Sequence, residues 1–169
     1  MSGIQILLAI IGILTTSYIT GAIIKSKSIP ESISETSYIW ETNCDHKQWH
    51  KAHLFSIYCC LVAGLMFWPW IKITPEYWQF ICFLGCAGIM MAGVTPFFKD
   101  KYQSLIHYFG GAIIALSWIS WMLIMQQYMI IVGGGLTIGV CCIVRPKSWV
   151  FWFEVVGLFA LIYCIWAIK

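Results

Sequence analysis

Six apolar runs, each close to the ~20 residues that a helix needs to cross a bilayer, leave this chain little freedom in how it folds. They occupy roughly 3–24, 53–71, 77–95, 104–125, 128–144 and 148–168. In hydrocarbon every backbone N–H and C=O must find a partner, and a helix pairs them within its own segment. The predicted fold is therefore all-α, a polytopic membrane protein built as a compact bundle of six transmembrane helices. It forms a single transmembrane domain over 1–169, with one long polar loop at 25–52. The charged fraction of 10% agrees, since soluble domains carry ~25%.

Breaks between the runs carry recognisable chemistry. Lys25 to Pro30 ends the first run, Pro69 and Thr74-Pro75 flank the second turn, Pro96 ends the third, and Arg145-Pro146-Lys147 separates the last two. Gln126-Gln127 predicts a tight hairpin between spans four and five. The opening "MSGIQ" has no basic segment and no cleavage site follows the first run, so that run is read as a reverse-oriented anchor.

Topology follows the positive residues. Lys25, Lys27, Lys47, Lys51, Lys99, Lys101, Arg145 and Lys147 fall on one side of the six-span arrangement, and only Lys72 and Lys169 on the other. This predicts cytoplasmic basic loops with both termini outside, in a bacterial inner membrane. Trp49, Trp149 and Trp152 are expected in a belt near the basic side, and Trp68, Trp70, Trp78, Trp118, Trp121 and Trp166 in a belt near the opposite one. Seven of the eight cysteines lie within apolar runs and read as packing thiols; Cys44, in the polar loop, reads as a free thiol. Gly110-Gly111-Ala112 in span four and Gly133-Gly134-Gly135 with Gly139 in span five predict close helix packing and a route to homo-oligomers. The alternative for the glycine triplet is a broken helix lining a cavity.

Polar residues scattered along the chain converge under this topology. The loop at 25–52 and the starts of spans two, four and six meet one membrane face, bringing Ser34, Glu35, His53, Asp100, His107, Arg145 and Glu154 toward a common polar site. Glu154 is the one acid inside an apolar run, which calls for a partner; Arg145, Lys147 and His107 are the candidates. Ser34 or Thr36 is placed to cap a short helix leading into span two. A nucleophilic serine needs a base and an oxyanion site, and no G-x-S-x-G elbow is present, so acyl transfer has no support at this level. Absence of a mid-span lysine argues against a retinal Schiff base.

The segments "IPESISETSY" before span two, and "PFFKD" with "IHYFGGA" at the start of span four, resemble the six-span DRAM/Frag/Sfk-type membrane proteins and related uncharacterised bacterial membrane proteins. Pro30, Ile33 and Ser34 match the first motif, and Phe97, Phe98, Asp100, His107, Gly111 and Ala112 the second. The resemblance implies a membrane-organising or regulatory protein, and it supplies no catalytic residues. Its eukaryotic members are drawn with cytoplasmic termini, whereas the lysines here argue for termini outside.

These observations lead to three expectations. The first is a non-enzymatic site for a small ligand or lipid headgroup, with proton-coupled transport as an extension, membrane lipids as partners and no cofactor. Lys99, Lys101, Arg145 and Lys147 would attract anionic headgroups. The second is an intramembrane metal-dependent hydrolase. His46, His50 and His53 share a helical face through their i, i+4 and i, i+3 spacing and suit zinc, with His107 and a carboxylate completing the set. It resembles ceramidase-like membrane hydrolases in ligand chemistry, without their paired histidines on a late helix. The third is an oligomeric, holin-like pore. Nucleic-acid binding has no support, given the small net charge of +3.

Overall fold

The computed structural model of the protein describes residues 2–41, 53–96, 99 and 101–168. These residues form an all-helical bundle without strands: α1 (Gly3–Ser26), α2 (Thr36–Glu41), α3 (His53–Ile73), α4 (Gln79–Val94), α5 (Lys101–Ile124), α6 (Tyr128–Val144) and α7 (Trp149–Ala167). Short 3-10 turns at Glu76–Trp78 and Pro146–Ser148 lead into α4 and α7. Five helices, counting those two turns with them, are long and apolar enough to cross a membrane. The remaining one, α6, has 17 residues and spans about 25 Å at ~1.5 Å per residue.

Local sequence explains the ends. Ser2 and Gln5 form a capping box on α1: Gln5 N–H donates to Ser2 Oγ at 3.4 Å, and Ser2 N–H to Gln5 Oε1 at 2.9 Å. Lys27 stops that helix in the left-handed conformation, φ 54°. At the far end of α5, Gln126 takes φ 57° while its N–H reaches Leu123 O and that of Gln127 reaches Met122 O. That is a Schellman closure, and it produces the hairpin predicted at the glutamine pair. Pro69 does not end α3, which continues through it to Ile73.

The centre of the bundle is α4, packed between α3 and α5. A Cβ added to Gly88 would lie 2.8 Å from Gly110 O, so these two helices meet backbone to backbone, as small residues permit in a membrane. Trp70 fills the space beside Gly85 and meets Trp121 edge-on at 6.0 Å, while Trp121 Nε1–H donates to Thr74 Oγ1 at 2.7 Å. Trp70, Trp118 and Trp121 therefore face the interior of the bundle, whereas Trp68, Trp78, Trp149 and Trp166 are exposed. The cysteines of the described residues are free thiols, with Cys59, Cys82, Cys86 and Cys164 buried in the packing.

Helix α1 joins α3 through the stacked rings of Tyr18 and Tyr58, 4.3 Å apart. Helix α6 lies mainly against α7 and contributes no buried residue. Its glycine triplet stays within an unbroken helix, so local unwinding there does not occur.

Candidate ligand-binding site

The polar loop after α1 is drawn into the bundle. Ile33, Ser34, Thr36 and Ser37 are all buried. Backbone groups in such a place need partners, and each contact ties the loop to a different helix. Glu31 O accepts the N–H of Phe151 at 2.9 Å, one of the donors that the first turn of α7 leaves open. In return, Ile33 N–H donates to Glu154 Oε2 at 2.5 Å. Ser37 Oγ donates to Pro96 O at 2.8 Å, beyond the end of α4. Tyr18 Oη and Thr36 Oγ1 are 2.6 Å apart, linking α2 to α1.

Glu154 thus finds its partner in the main chain of residue 33; the expected pairing with Arg145, Lys147 or His107 does not form. The short helix foreseen after Pro30 exists as α2, but Ser34 and Thr36 do not cap it. Thr36 Oγ1 donates back to Ile33 O, and Ser34 Oγ faces His107 Nε2 at 2.9 Å. Ser32 Oγ accepts the Glu35 N–H at 3.0 Å instead.

Beneath the docked loop is a cavity of about 610 Å³, within the usual range for small-molecule sites. Its polar end carries Glu31, Ser32, Ser34, Glu35, Lys99, His107 and Glu154. The remaining wall comes from α3, α4, α5 and α7 and is almost wholly apolar, including Phe55, Val62, Ile89, Ile114, Trp118 and Leu158. Along α5 the lining runs from His107 to Trp118, about 16 Å at ~1.5 Å per residue. Helices α5 and α7 approach each other at the Trp118 end of the lining, where a Cβ on Gly157 would lie 3.1 Å from the Trp118 ring. Toward the polar end, Tyr108, Gly111 and Ala112 line the cavity and are themselves exposed, so it opens sideways between α5 and α7.

Four of the residues predicted for a polar site, Ser34, Glu35, His107 and Glu154, line this one cavity. His53, exposed at the start of α3, and Arg145, exposed at the end of α6, do not. Asp100 lies outside the described residues, as do Cys44, His46 and His50. Among the described residues no cluster of three or more His, Cys, Asp or Glu side chains is arranged to hold a metal ion. Of the four basic residues expected to gather anionic headgroups, only Lys99 lines the cavity, and its Nζ is 3.3 Å from Glu35 Oε1. Glu31 and the aromatic pair Tyr108 and Trp149 at the polar end had no distinguishing signal in the sequence.

Comparison with protein families, curated proteins and solved structures returns no match to this chain.

Proposed function

We propose that this protein binds a single-chain membrane amphiphile, with its hydrocarbon along α5 toward Trp118 and its polar end among Ser34, Glu35 and Glu154. The observation that carries the reading is the shape and polarity of the cavity. It is polar at one end, apolar along about 16 Å of α5, and lined on its α5 side by Tyr108, Gly111 and Ala112, which are exposed on the outer surface of the bundle. Such a ligand enters from the bilayer without leaving it. The polar end is taken to lie at the cytoplasmic face, on the strength of the lysine distribution.

The carboxyl-bearing side chains of the lining are Glu31, Glu35 and Glu154, against one lysine, Lys99, which Glu35 already holds. Hydrogen-bond acceptors are in excess there, so the site favours an amine, ammonium or hydroxyl head over a carboxylate or phosphate. Trp149 and Tyr108 add aromatic faces suited to a cation. Because the described lining ends at Val62, Trp118 and Leu158, binding is placed ahead of transport.

Protein purified in mild detergent would be titrated with a chain-matched series of fluorescent fatty amine, alcohol and acid. The amine and alcohol should bind at least tenfold more tightly than the acid, and Glu154→Gln should narrow that difference. Gly111→Trp supplies an independent test, because a side chain at Gly111 meets nothing within 4 Å and projects from a cavity-lining position. It should block all three probes while the protein stays folded. Equal binding of all probes by the parent and by Gly111→Trp would refute the site.

A further inference from the structure

Ser34 and His107 are separated by 73 residues in the chain, yet their side chains meet inside the cavity. His107 Nδ1 lies 3.0 Å from Thr95 O. A carbonyl oxygen can only accept, so the proton of the neutral ring is on Nδ1. Thr95 Oγ1, 3.3 Å away, is a second acceptor for it, because that hydroxyl donates its own hydrogen to Met91 O at 2.8 Å. This leaves the Nε2 lone pair toward Ser34, whose Oγ–H donates to it across 2.9 Å. A hydroxyl, a base within hydrogen-bond reach and a third group that orients the base are the parts of an activated serine.

We propose that Ser34 is a nucleophile and His107 its general base, acting on a carboxylic ester of a membrane lipid held in the cavity. The inference rests on the amphiphile reading above and adds a reaction to it. The acyl chain lies along α5 toward Trp118, which places the ester carbonyl at the junction of the apolar wall and the polar end, where Ser34 and His107 are. Both side chains are nearly enclosed, at 7% and 6% exposure, so the pair is shielded from bulk water while facing the ligand space. The loop holds Ser34 there through fixed contacts on either side, Ile33 N–H to Glu154 and Ser37 Oγ to Pro96 O. Such rigid placement is what a nucleophile requires.

In the first step Ser34 Oγ bonds to the ester carbonyl carbon as its proton passes to His107 Nε2. The carbonyl oxygen becomes an oxyanion, and the Ser34 N–H, which donates to no other group among the described residues, is the main-chain donor offered to it. Collapse of this adduct breaks the bond to the alcohol oxygen, which takes the proton from Nε2 and leaves. Water then attacks the acyl-serine, giving its proton to Nε2; release of the carboxylic acid returns that proton to Ser34 Oγ. The sum is ester plus water to acid plus alcohol. A second lipid alcohol in place of water gives transacylation by the same steps.

The test uses the full-length protein in mild detergent and a long-chain alkyl fluorophosphonate, with the modified residue located by peptide mass spectrometry. The expected adduct is on Ser34. His107→Gln should slow its formation at least ~100-fold, the usual scale for losing a general base. Ser34→Cys, which keeps a nucleophile beside the same base, should restore acylation by p-nitrophenyl dodecanoate. Binding of the fluorescent fatty alcohol is measured on the same samples and separates the two readings. A parent protein that binds the alcohol while Ser34 stays unmodified overturns the nucleophile and leaves the binding site standing. A parent protein that neither binds the alcohol nor labels at Ser34 overturns both. Labelling of Ser34 at an unchanged rate in folded His107→Gln reduces the pair to a loop contact and overturns the assignment of the base.

Discussion

Replacing Glu154 with leucine isolates the contact that holds the loop over the cavity. Leucine nearly matches the glutamate in volume but offers no acceptor, so the Ile33 N–H, buried at 8% exposure, loses its partner. An unsatisfied buried donor costs about 1–3 kcal/mol, and about 2 kcal/mol corresponds to a roughly thirtyfold shift in an opening equilibrium. The loop is not released altogether, since Phe151 N–H still donates to Glu31 O at 2.9 Å and Ser37 Oγ to Pro96 O at 2.8 Å. The loss should therefore be local. Hydrogen exchange followed by mass spectrometry in detergent is the assay: peptides covering 31–37 should lose about thirtyfold in protection while those from α4 do not change. Glu154→Gln keeps an oxygen acceptor at the same reach and should stay within about threefold of the parent, the shift of roughly half a kcal/mol typical of a mild exchange. Equal protection in Glu154→Leu and the parent would mean that the loop does not depend on this bond, and the structural role given to Glu154 would fail.

Two further outcomes follow from the packing and from the charge distribution. Gly88→Ala should destabilise the protein by about 1–3 kcal/mol, the cost of overpacking, because its Cβ meets Gly110 O at 2.8 Å. Gly139→Ala, with nothing within 4 Å, should raise stability by roughly 0.5–1 kcal/mol through helix propensity; detergent unfolding curves that rank the two the other way would refute the packing argument. For topology, Tyr77→Cys and Lys27→Cys in a Cys44→Ser background should react oppositely with a membrane-impermeant maleimide on right-side-out vesicles. Labelling at 77 before lysis and at 27 only after it is the expected pattern, and the reverse would invert the orientation drawn from the lysines.

The helices were legible because bilayer thickness and backbone satisfaction act on long apolar runs whatever their detail. Their ends were legible where Pro146 or the glutamine pair imposed a specific backbone. What could not be read was which side of each helix faces inward. In a soluble bundle the polar face marks the outside, but α3 and α7 carry apolar residues on every side, and lipid accepts such a surface as readily as a protein core does. Tryptophan suffers most from this ambiguity. The belt rule concerns depth in the membrane, and Trp70 and Trp121 satisfy it equally well as neighbours inside the bundle, where Gly85 leaves room for one and Thr74 accepts the N–H of the other. Glycine is ambiguous in the same way: Gly110 is consumed by contact with α4, while Gly111, its neighbour, opens onto the cavity.

The gathering of Ser34, Glu35, His107 and Glu154 was visible from topology alone, since helix starts on one membrane face must converge with the loop between them. Their pairings were not, because two of the decisive partners are main-chain groups, Ile33 N–H for Glu154 and Thr95 O for His107, and no side-chain pattern reports them. The second of these matters most. By fixing the proton on Nδ1 it turns His107 into an acceptor toward the loop, so a serine arriving there is bound as a donor and acquires a base that no local motif announces. A buried histidine ending against a hydrocarbon wall would leave Nε2 without a partner, at a cost comparable to any other orphaned polar atom. The same hydrogen bond that satisfies His107 therefore also seats the loop and polarises the Ser34 hydroxyl. Seating and activation cannot be separated by the fold, which is why the discriminating measurement is chemical modification of Ser34 and not its effect on stability.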